Sequence, residues 1–496
     1  MGTIRKQSII GTIVIYFGVI IGFINTGILL PKLFSTSEIG LINVLVAYAT
    51  IFAQFASLGF NNATTRLFPY FREKESKHNG FLGLGFGVIT VGYIVCLIVF
   101  FGLHHIFIEN GAEKSPLFRE NINLIVPLYA FILLFVFLDN YLKVLYRSTI
   151  GLFLKEVVQR VIILVCILLF ALNVIDFTAF LYLYIIAYVI PVTVAIVSLV
   201  RSGDFSLRIN LGFLSNELKK ELISVSVYGI LAGFMGVITI NIDRLMVQNF
   251  LGLSATGIYS TAFFFGTVVA LPTRSVVKIS TAYLAESWKN NDLETIKSIY
   301  TRSSITQLIF GLLVYGGLLI NLDNIFRILG EQYITGKYVI VFIGLAYLCD
   351  MAIGVGAYIL VTSKYFKYQT WLLLIFLVLV IGTNAIFIPK WGIAGAAFAS
   401  LLSKFIHNLL KLLVVKVKLQ LQPFSSKSLW AVIFAVMATA IGIFIPESES
   451  LIFNIGIRSV VFVVVLMGFV YFFKLSDDIN DRIDAYASLV FGKLSK

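Results

Sequence analysis

Apolar runs of roughly 20 residues follow one another along the whole chain, separated by short polar stretches. At about 1.5 Å of rise per residue, each run is long enough as a helix to cross a hydrocarbon layer of about 30 Å. The runs are too long and too continuous for barrel strands, so helices must satisfy the backbone inside the membrane. The pattern predicts about fourteen helices, near 8–30, 39–63, 81–107, 121–146, 154–174, 178–200, 222–250, 256–281, 303–322, 338–362, 368–388, 392–415, 428–446 and 452–474. The expected fold is an all-α polytopic membrane protein.

The stretch 222–284 repeats an N-terminal one. Gly18-Val19-Ile20 matches Gly236-Val237-Ile238, and Asn25 falls where Asp243 falls. Ser37-Glu38-Ile39-Gly40 stands in for Ser254-Ala255-Thr256-Gly257, and each copy runs into a basic, aromatic exit at 66–72 or 274–288. A repeat offset by nearly half the chain is the mark of a two-lobed transporter. The expected organisation is an N-terminal lobe of six helices over 1–218, a second six-helix lobe over 219–420, and an appended helix pair with a cytoplasmic tail over 421–496.

Composition agrees with the pattern. Of 496 residues 59% are hydrophobic and only 13% charged, against roughly 25% charged in soluble domains. The net charge of +13 does not point to nucleic acid, because the basic residues sit in alternate links. Links after even-numbered helices carry Arg66, Arg72, Lys74, Lys77, Lys143, Arg147, Lys155, Arg201, Arg208, Lys219, Lys220, Lys289, Lys297, Arg302, Lys364, Lys367, Lys416, Lys418 and Lys427. The other links carry little beyond Lys32, Lys114, Arg119, Arg327, Lys337 and Lys390. By the positive-inside rule both termini are expected to be cytoplasmic. Cys96, Cys166 and Cys349 all lie in apolar runs without metal-ligand spacing. Arg5 and Lys6 precede an apolar run with no small-residue cleavage site, which reads as a retained first helix.

Charges inside apolar helices cost about 2.5–3.5 kcal/mol each on insertion scales, so each asks for a reason. Asp350 is the deepest acid, about 12 residues into the tenth helix. It is either a proton or cation site, helped by close helix approach or local unwinding at Gly354 and Gly356, or the structural partner of Lys404. Lys404, His407 and Lys411 share one helix face and form a basic track for phosphate, or else Lys404 pairs with an acid while the other two snorkel to the cytoplasm. Asp139, Lys143 and Arg147 form a similar stripe; Asp139 is the deeper group, and the two basic residues also serve as topology signals. Arg66 and Arg274 end matching segments of the two repeats, with a kink expected at Pro272. Guanidinium forks there fit a diphosphate; the plainer role is headgroup anchoring. The substrate-binding set is thus Arg66, Lys143, Arg147, Arg274 and Lys404, and the ion-coupling set Asp350 and Asp139. Asp243 and Arg244 are expected to pair with neighbours. No nucleotide, metal or hydrolase signature is present, so no catalytic residue, metal or cofactor is expected.

Three places carry a family resemblance: Leu30-Pro31-Lys32 with Ser37-Glu38-Ile39-Gly40; Asn241-Ile242-Asp243-Arg244-Leu245-Met246 with Gly257-Ile258-Tyr259; and Trp391-Gly392-Ile393-Ala394-Gly395-Ala396-Ala397. The chain resembles the Wzx-type oligosaccharide flippases and polysaccharide exporters of the multidrug/oligosaccharidyl-lipid/polysaccharide superfamily. The resemblance implies two six-helix lobes around a cavity, rocking between faces. It also implies a polyprenyl-diphosphate-linked oligosaccharide moved from the inner to the outer leaflet for cell-surface polysaccharide or lipopolysaccharide synthesis. A proton or sodium gradient would drive the movement, and polymerase or assembly proteins would be partners. A multidrug extruder of organic cations would share the lobes, although the basic surplus inside argues against cationic cargo. A membrane glycosyltransferase or polymerase would need a larger acidic outer loop than Glu109, Glu113 and Glu120 provide.

Overall fold

A computed structural model describes residues 2–112 and 115–491. Within those ranges, the side chains of 2–9, 103–112, 232, 274, 275, 278, 279, 282, 486, 487 and 489–491 lie outside the description. Among the described residues every regular element is helical and none is a strand. The chain divides into two compact units, 1–260 and 261–496.

The first unit begins with α1 (Gly2–Gly22), which passes through a π-helical stretch at Phe23–Leu29 into a short turn at Leu30–Leu33. Then come α2 (Thr36–Ala56), α3 (Phe60–Phe71), α4 (Phe81–Ala112), α5 (Ile125–Val144), α6 (Gln159–Ala171), α7 (Phe177–Arg201) and α8 (Asn216–Thr267), whose residues 261–267 fall in the second unit. A π-helical turn at Leu154–Val158 leads into α6. The second helix predicted from the pattern, 39–63, is interrupted at Leu58 and Gly59, which have φ of 44 and 70. Glycine suits that left-handed corner, and a Cβ on Gly59 would stand 2.7 Å from the amide of Ile230. One end of the unit is filled by Phe60, Phe68, Phe71, Phe81, Phe137 and Tyr141, all fully buried. On α4, Val91, Ile94, Val95, Ile98 and Val99 are exposed instead, as expected of a face turned to lipid.

The second unit holds α9 (Thr273–Lys289), α10 (Leu293–Ile320), α11 (Lys337–Ala352), α12 (Gly356–Thr362), α13 (Phe366–Leu419), α14 (Ser426–Ile443), α15 (Leu451–Phe472) and α16 (Asp477–Phe491). Pro272 stands at the N-cap of α9, after a 3-10 turn at Val268–Ala270. The stretch 282–302 between two of the predicted helices is itself mostly helical, because α9 runs to Lys289 and α10 starts at Leu293. Asp292 sets that start: its Oδ1 accepts from the Thr295 amide at 2.9 Å and its Oδ2 from the Thr295 hydroxyl at 2.6 Å. Those bonds hold its carboxyl below the usual carboxylate range. The helix predicted at 338–362 ends early, at Ala352, and turns through Gly354 (φ 59), where a Cβ would lie 2.7 Å from the Ser304 amide. The appended pair α14 and α15 packs on α10, and Ala431, Phe434, Ala438, Phe462 and Leu466 share one apolar cluster with Ile309 and Leu312 of that helix and Leu348 of α11.

Eleven helices among the described residues are, as they stand, long and apolar enough to cross a membrane. Two of these cover 55 and 54 residues, each far more than one crossing needs, and each is broken by a glycine of positive φ, Gly252 (85) and Gly392 (59). Dividing both there and adding 148–171 yields fourteen segments, and we propose that each crosses the membrane. Its topology is checked by single cysteines at Glu75 and Asn290, both exposed. Asn79 suits the purpose less, since it has φ 49 and its amide donates to Phe71 O. Both cysteines are expected to resist an impermeant thiol reagent in intact cells, and labelling without permeabilisation would overturn the topology.

Candidate functional site

The densest charged cluster of the second unit lies between α11 and the second half of α13. Asp350, near the end of α11, is met by two groups one helical turn apart on α13. Lys404 Nζ lies 2.5 Å from its Oδ2, and Asn408 Nδ2 donates to its Oδ1 at 2.7 Å. A turn further on, Lys411 Nζ donates to Asn408 Oδ1 at 3.0 Å. Lys404 also sits over the Tyr347 ring, 3.5 Å from its centroid, which adds a cation–π contact. Thus one carboxylate faces two ammonium groups, and the cluster carries a surplus positive charge. Lys411 is buried, whereas the Asp350 side chain is 36% exposed and Lys404 19%. Asp350 is therefore the accessible end of the network. His407 packs on Phe376 with its Nδ1 3.1 Å from Leu372 O, which gives it a packing role.

In the first unit the stripe Asp139–Lys143–Arg147 is split between two pairs. Lys143 Nζ lies 2.6 Å from Asp139 Oδ2. Asp139 is packed against Gly151, whose hydrogen faces the carboxylate; a Cβ there would lie 2.8 Å from its Cγ. Arg147 turns away and meets Asp204 at 3.2 Å. Asp204 also accepts from the Ser202 hydroxyl at 2.7 Å and stands 3.4 Å from His78 Nε2. With a side chain 7% exposed, Asp204 ties three segments together. Around it Lys77 donates to Gly203 O at 2.6 Å, and Arg72 donates to Val144 O at 2.6 Å and to the Tyr146 hydroxyl at 2.7 Å.

Arg66 is 70% exposed and 3.8 Å from Glu221. Arg274 lies on α9, with its side chain outside the described residues. Asp243 accepts from the Tyr259 hydroxyl at 3.0 Å, and Arg244 donates to Asn241 at 3.4 Å, so both have neighbours as expected.

The sequence reading missed several charged groups. Arg160 and Glu156 pair at 2.7 Å. Arg160 also donates to Gly18 O, while its own carbonyl accepts from Asn25 Nδ2 at 2.8 Å. This joins two π-helical stretches, a distortion frequent at functional sites; the i,i+4 spacing of the charges was the available signal. Arg458, buried on α15, donates to Ile320 O at 3.3 Å and Ile445 O at 2.9 Å, so it caps the ends of α10 and α14. Among the described residues, no group of three or more His, Cys, Asp or Glu side chains is placed to hold a metal ion.

A family model described as "Polysaccharide biosynthesis protein" matches residues 4–283, more than half the chain. The chain belongs to this family. Curated proteins give no sequence match. Among solved structures it is similar to a lipid II flippase MurJ in an inward closed conformation, with TM-score 0.74 and 16% identity over 94% of this chain and 98% of that one. It is also similar to a multidrug resistance MATE family transporter of the MOP superfamily. Against its inward-facing conformation the TM-score is 0.65, with 13% identity over 81% of this chain and 94% of that one. Against an outward-facing conformation the TM-score is 0.55, with 12% identity over 84% and 96%. At these identities the shared property is the fold. The chain is a multi-pass helical membrane protein with the architecture of MOP-superfamily transporters. The resemblance first drawn from its motifs holds.

Proposed function

We propose that this protein is a flippase, and not an enzyme, that moves a polyprenyl-diphosphate-linked oligosaccharide from the cytoplasmic to the outer leaflet of a bacterial inner membrane. The observation that carries the reading is the charged network on Asp350, built inside a helical bundle of a family concerned with polysaccharide biosynthesis. Its accessible carboxylate suits a coupling proton or sodium ion, and Lys404 beside it suits an anionic cargo. Asp139 would be the equivalent acid of the first unit. Arg66, Arg274, Lys143 and Arg147 would meet the diphosphate, and Arg147 would then have to leave Asp204. The fold shared with a lipid II flippase supports the same reading. The MATE likeness supports a second one, export of organic cations.

Cells lacking the chain separate the two. A flippase defect leaves lipid-linked oligosaccharide on the cytoplasmic side and depletes surface glycan, with dye efflux unchanged. Intact surface glycan together with dye sensitivity would favour the drug exporter.

Arg66 allows a direct test of the basic clamp. Its exposed, long pair with Glu221 contributes about 0–1 kcal/mol, so Arg66→Ala should leave protein levels alone. Export is expected to fall at least about tenfold with Arg66→Ala or Arg274→Ala, and less with Arg274→Lys, which keeps charge without the fork. Full export in both alanine variants would reduce these residues to anchors.

A further inference from the structure

The break between α11 and α12 is lined by uncharged oxygens, and two buried side chains of α10 are left open beside it. α11 stops at Ala352, the chain turns through Gly354, and α12 starts at Gly356. In an unbroken helix the amides of Ile353 and Gly354 would donate to Cys349 O and Asp350 O. Both donate to Met351 O instead, so those two carbonyls are released at the helix end. The C-terminal end of the helix dipole adds partial negative charge there.

α10 meets the break with a polar stripe. Tyr300, Ser304, Gln307 and Gly311 recur at helical spacing and share one face. Ser304 Oγ donates to Ala352 O at 2.6 Å. A Cβ on Gly354 would stand 2.8 Å from Ser303 Oγ, and one on Gly356 would stand 2.9 Å from the Tyr300 hydroxyl. Further along the face, a Cβ on Gly311 would stand 2.9 Å from the Met351 sulfur. Gln307 lies between these contacts and is fully buried. Neither atom of its amide has a hydrogen-bond partner among the described residues, and the buried Tyr300 hydroxyl has none either. Helix side chains lean toward the N-terminus, which brings the Gln307 amide toward Ser303 and Ser304. Buried polar groups left open in this way call for an ion or an ordered water.

The kind of oxygen decides between them. The carbonyls of Cys349, Asp350 and Ala352, the hydroxyls of Ser303 and Ser304 and the Gln307 amide oxygen all keep lone pairs to offer. None carries a formal charge, and the Asp350 carboxylate is already met by Lys404 and Asn408. Neutral oxygens around a broken helix suit a monovalent cation, whereas a divalent ion calls for carboxylates. We propose that the α11–α12 break, together with Ser303, Ser304 and Gln307, is a binding site for a monovalent cation such as sodium. The proposal rests on the ion-coupled reading and places the ion apart from the Asp350 carboxylate. Occupancy holds the end of α11 on α10, and with it the position of Asp350, so the ion acts on the charged network without touching it.

The test uses purified full-length protein in detergent, unfolded by heat in sodium chloride or in choline chloride of equal ionic strength. Sodium is expected to raise the unfolding temperature saturably, by roughly 2–4 °C. Gln307→Met keeps the length of the side chain and removes the open amide, so it should fold, and it is expected to lose the rise. Gln307→Glu should instead lower the sodium concentration for half the effect at least about fivefold at about pH 8, where the added carboxylate is charged. Asp350→Asn is expected to keep the rise, because its backbone carbonyl is unchanged. No saturable rise in the parent, or a rise that survives Gln307→Met, overturns the site. A rise lost in Asp350→Asn also overturns it, by placing the ion at the carboxylate. Where Gln307→Met folds poorly, an unchanged half-effect concentration in Gln307→Glu has the same force. If glycan export proves independent of the chain altogether, the flippase reading fails while sodium-dependent unfolding still reports on the site.

Discussion

Replacing Lys404 with methionine is expected to deplete the folded protein in the membrane, because it leaves the Asp350 carboxylate inside a helix bundle with Asn408 as its remaining close donor. Removing one member of a buried ion pair costs about 3–5 kcal/mol. Asp350 is about a third exposed, so the lower end of that range applies. Against a total stability of about 5–15 kcal/mol this is a large loss, readable as abundance and as a lower unfolding temperature in detergent. Adding Asp350→Asn to Lys404→Met should restore most of it, since a neutral amide leaves no bare charge and keeps the shape. The single Asp350→Asn variant addresses coupling. It keeps an acceptor for Asn408 and mimics the protonated acid, and it should insert at usable levels yet lose gradient-driven export. Normal abundance with normal export in that variant would eliminate both the structural and the coupling role of Asp350.

Asp204→Ala is expected to have a comparable effect on stability in the first unit. The side chain holds Arg147 at 3.2 Å, Ser202 at 2.7 Å and His78 at 3.4 Å. Without it Arg147 keeps its charge and loses this partner; its side chain is 36% exposed, so the cost falls at the lower end of the about 3–5 kcal/mol of a buried pair. The loop it secures is itself strained: Lys77, His78 and Asn79 have φ of 53, 55 and 49 in succession. Left-handed backbone costs roughly 1–2 kcal/mol per non-glycine residue, so these residues need the contacts that fix them. Limited proteolysis should then cut near 72–80 in the variant and spare the parent, alongside a lower unfolding temperature. Arg147→Met separates structure from transport. A structural Arg147 predicts lost stability, eased by adding Asp204→Asn, whereas a diphosphate contact predicts stable protein with poor export. Unchanged proteolysis and unfolding in Asp204→Ala would remove the latch.

The membrane class, the succession of helices and the family motifs were all legible in the chain, because a bilayer imposes length and apolarity on each helix locally. Asp350 and Lys404 were legible as a pair for a related reason: a charge in an apolar run must find an opposite charge, and few were available. The repeat was legible as well, down to Gly40 and Gly257. Periodicity, however, reports only which residues share a face of one helix. That Arg147 would pair with Asp204, in the link between the sixth and seventh predicted helices, depended on how distant segments fold back. The corner at Leu58–Gly59 and the end of α11 before Gly354 are set by neighbours at Ile230 and Ser304, far along the chain. Likewise, the sequence showed that 36–40 and 253–257 are alike, but only the tertiary structure brought them together. A glycine states that a close approach is possible, and the partner that makes the approach comes from another helix.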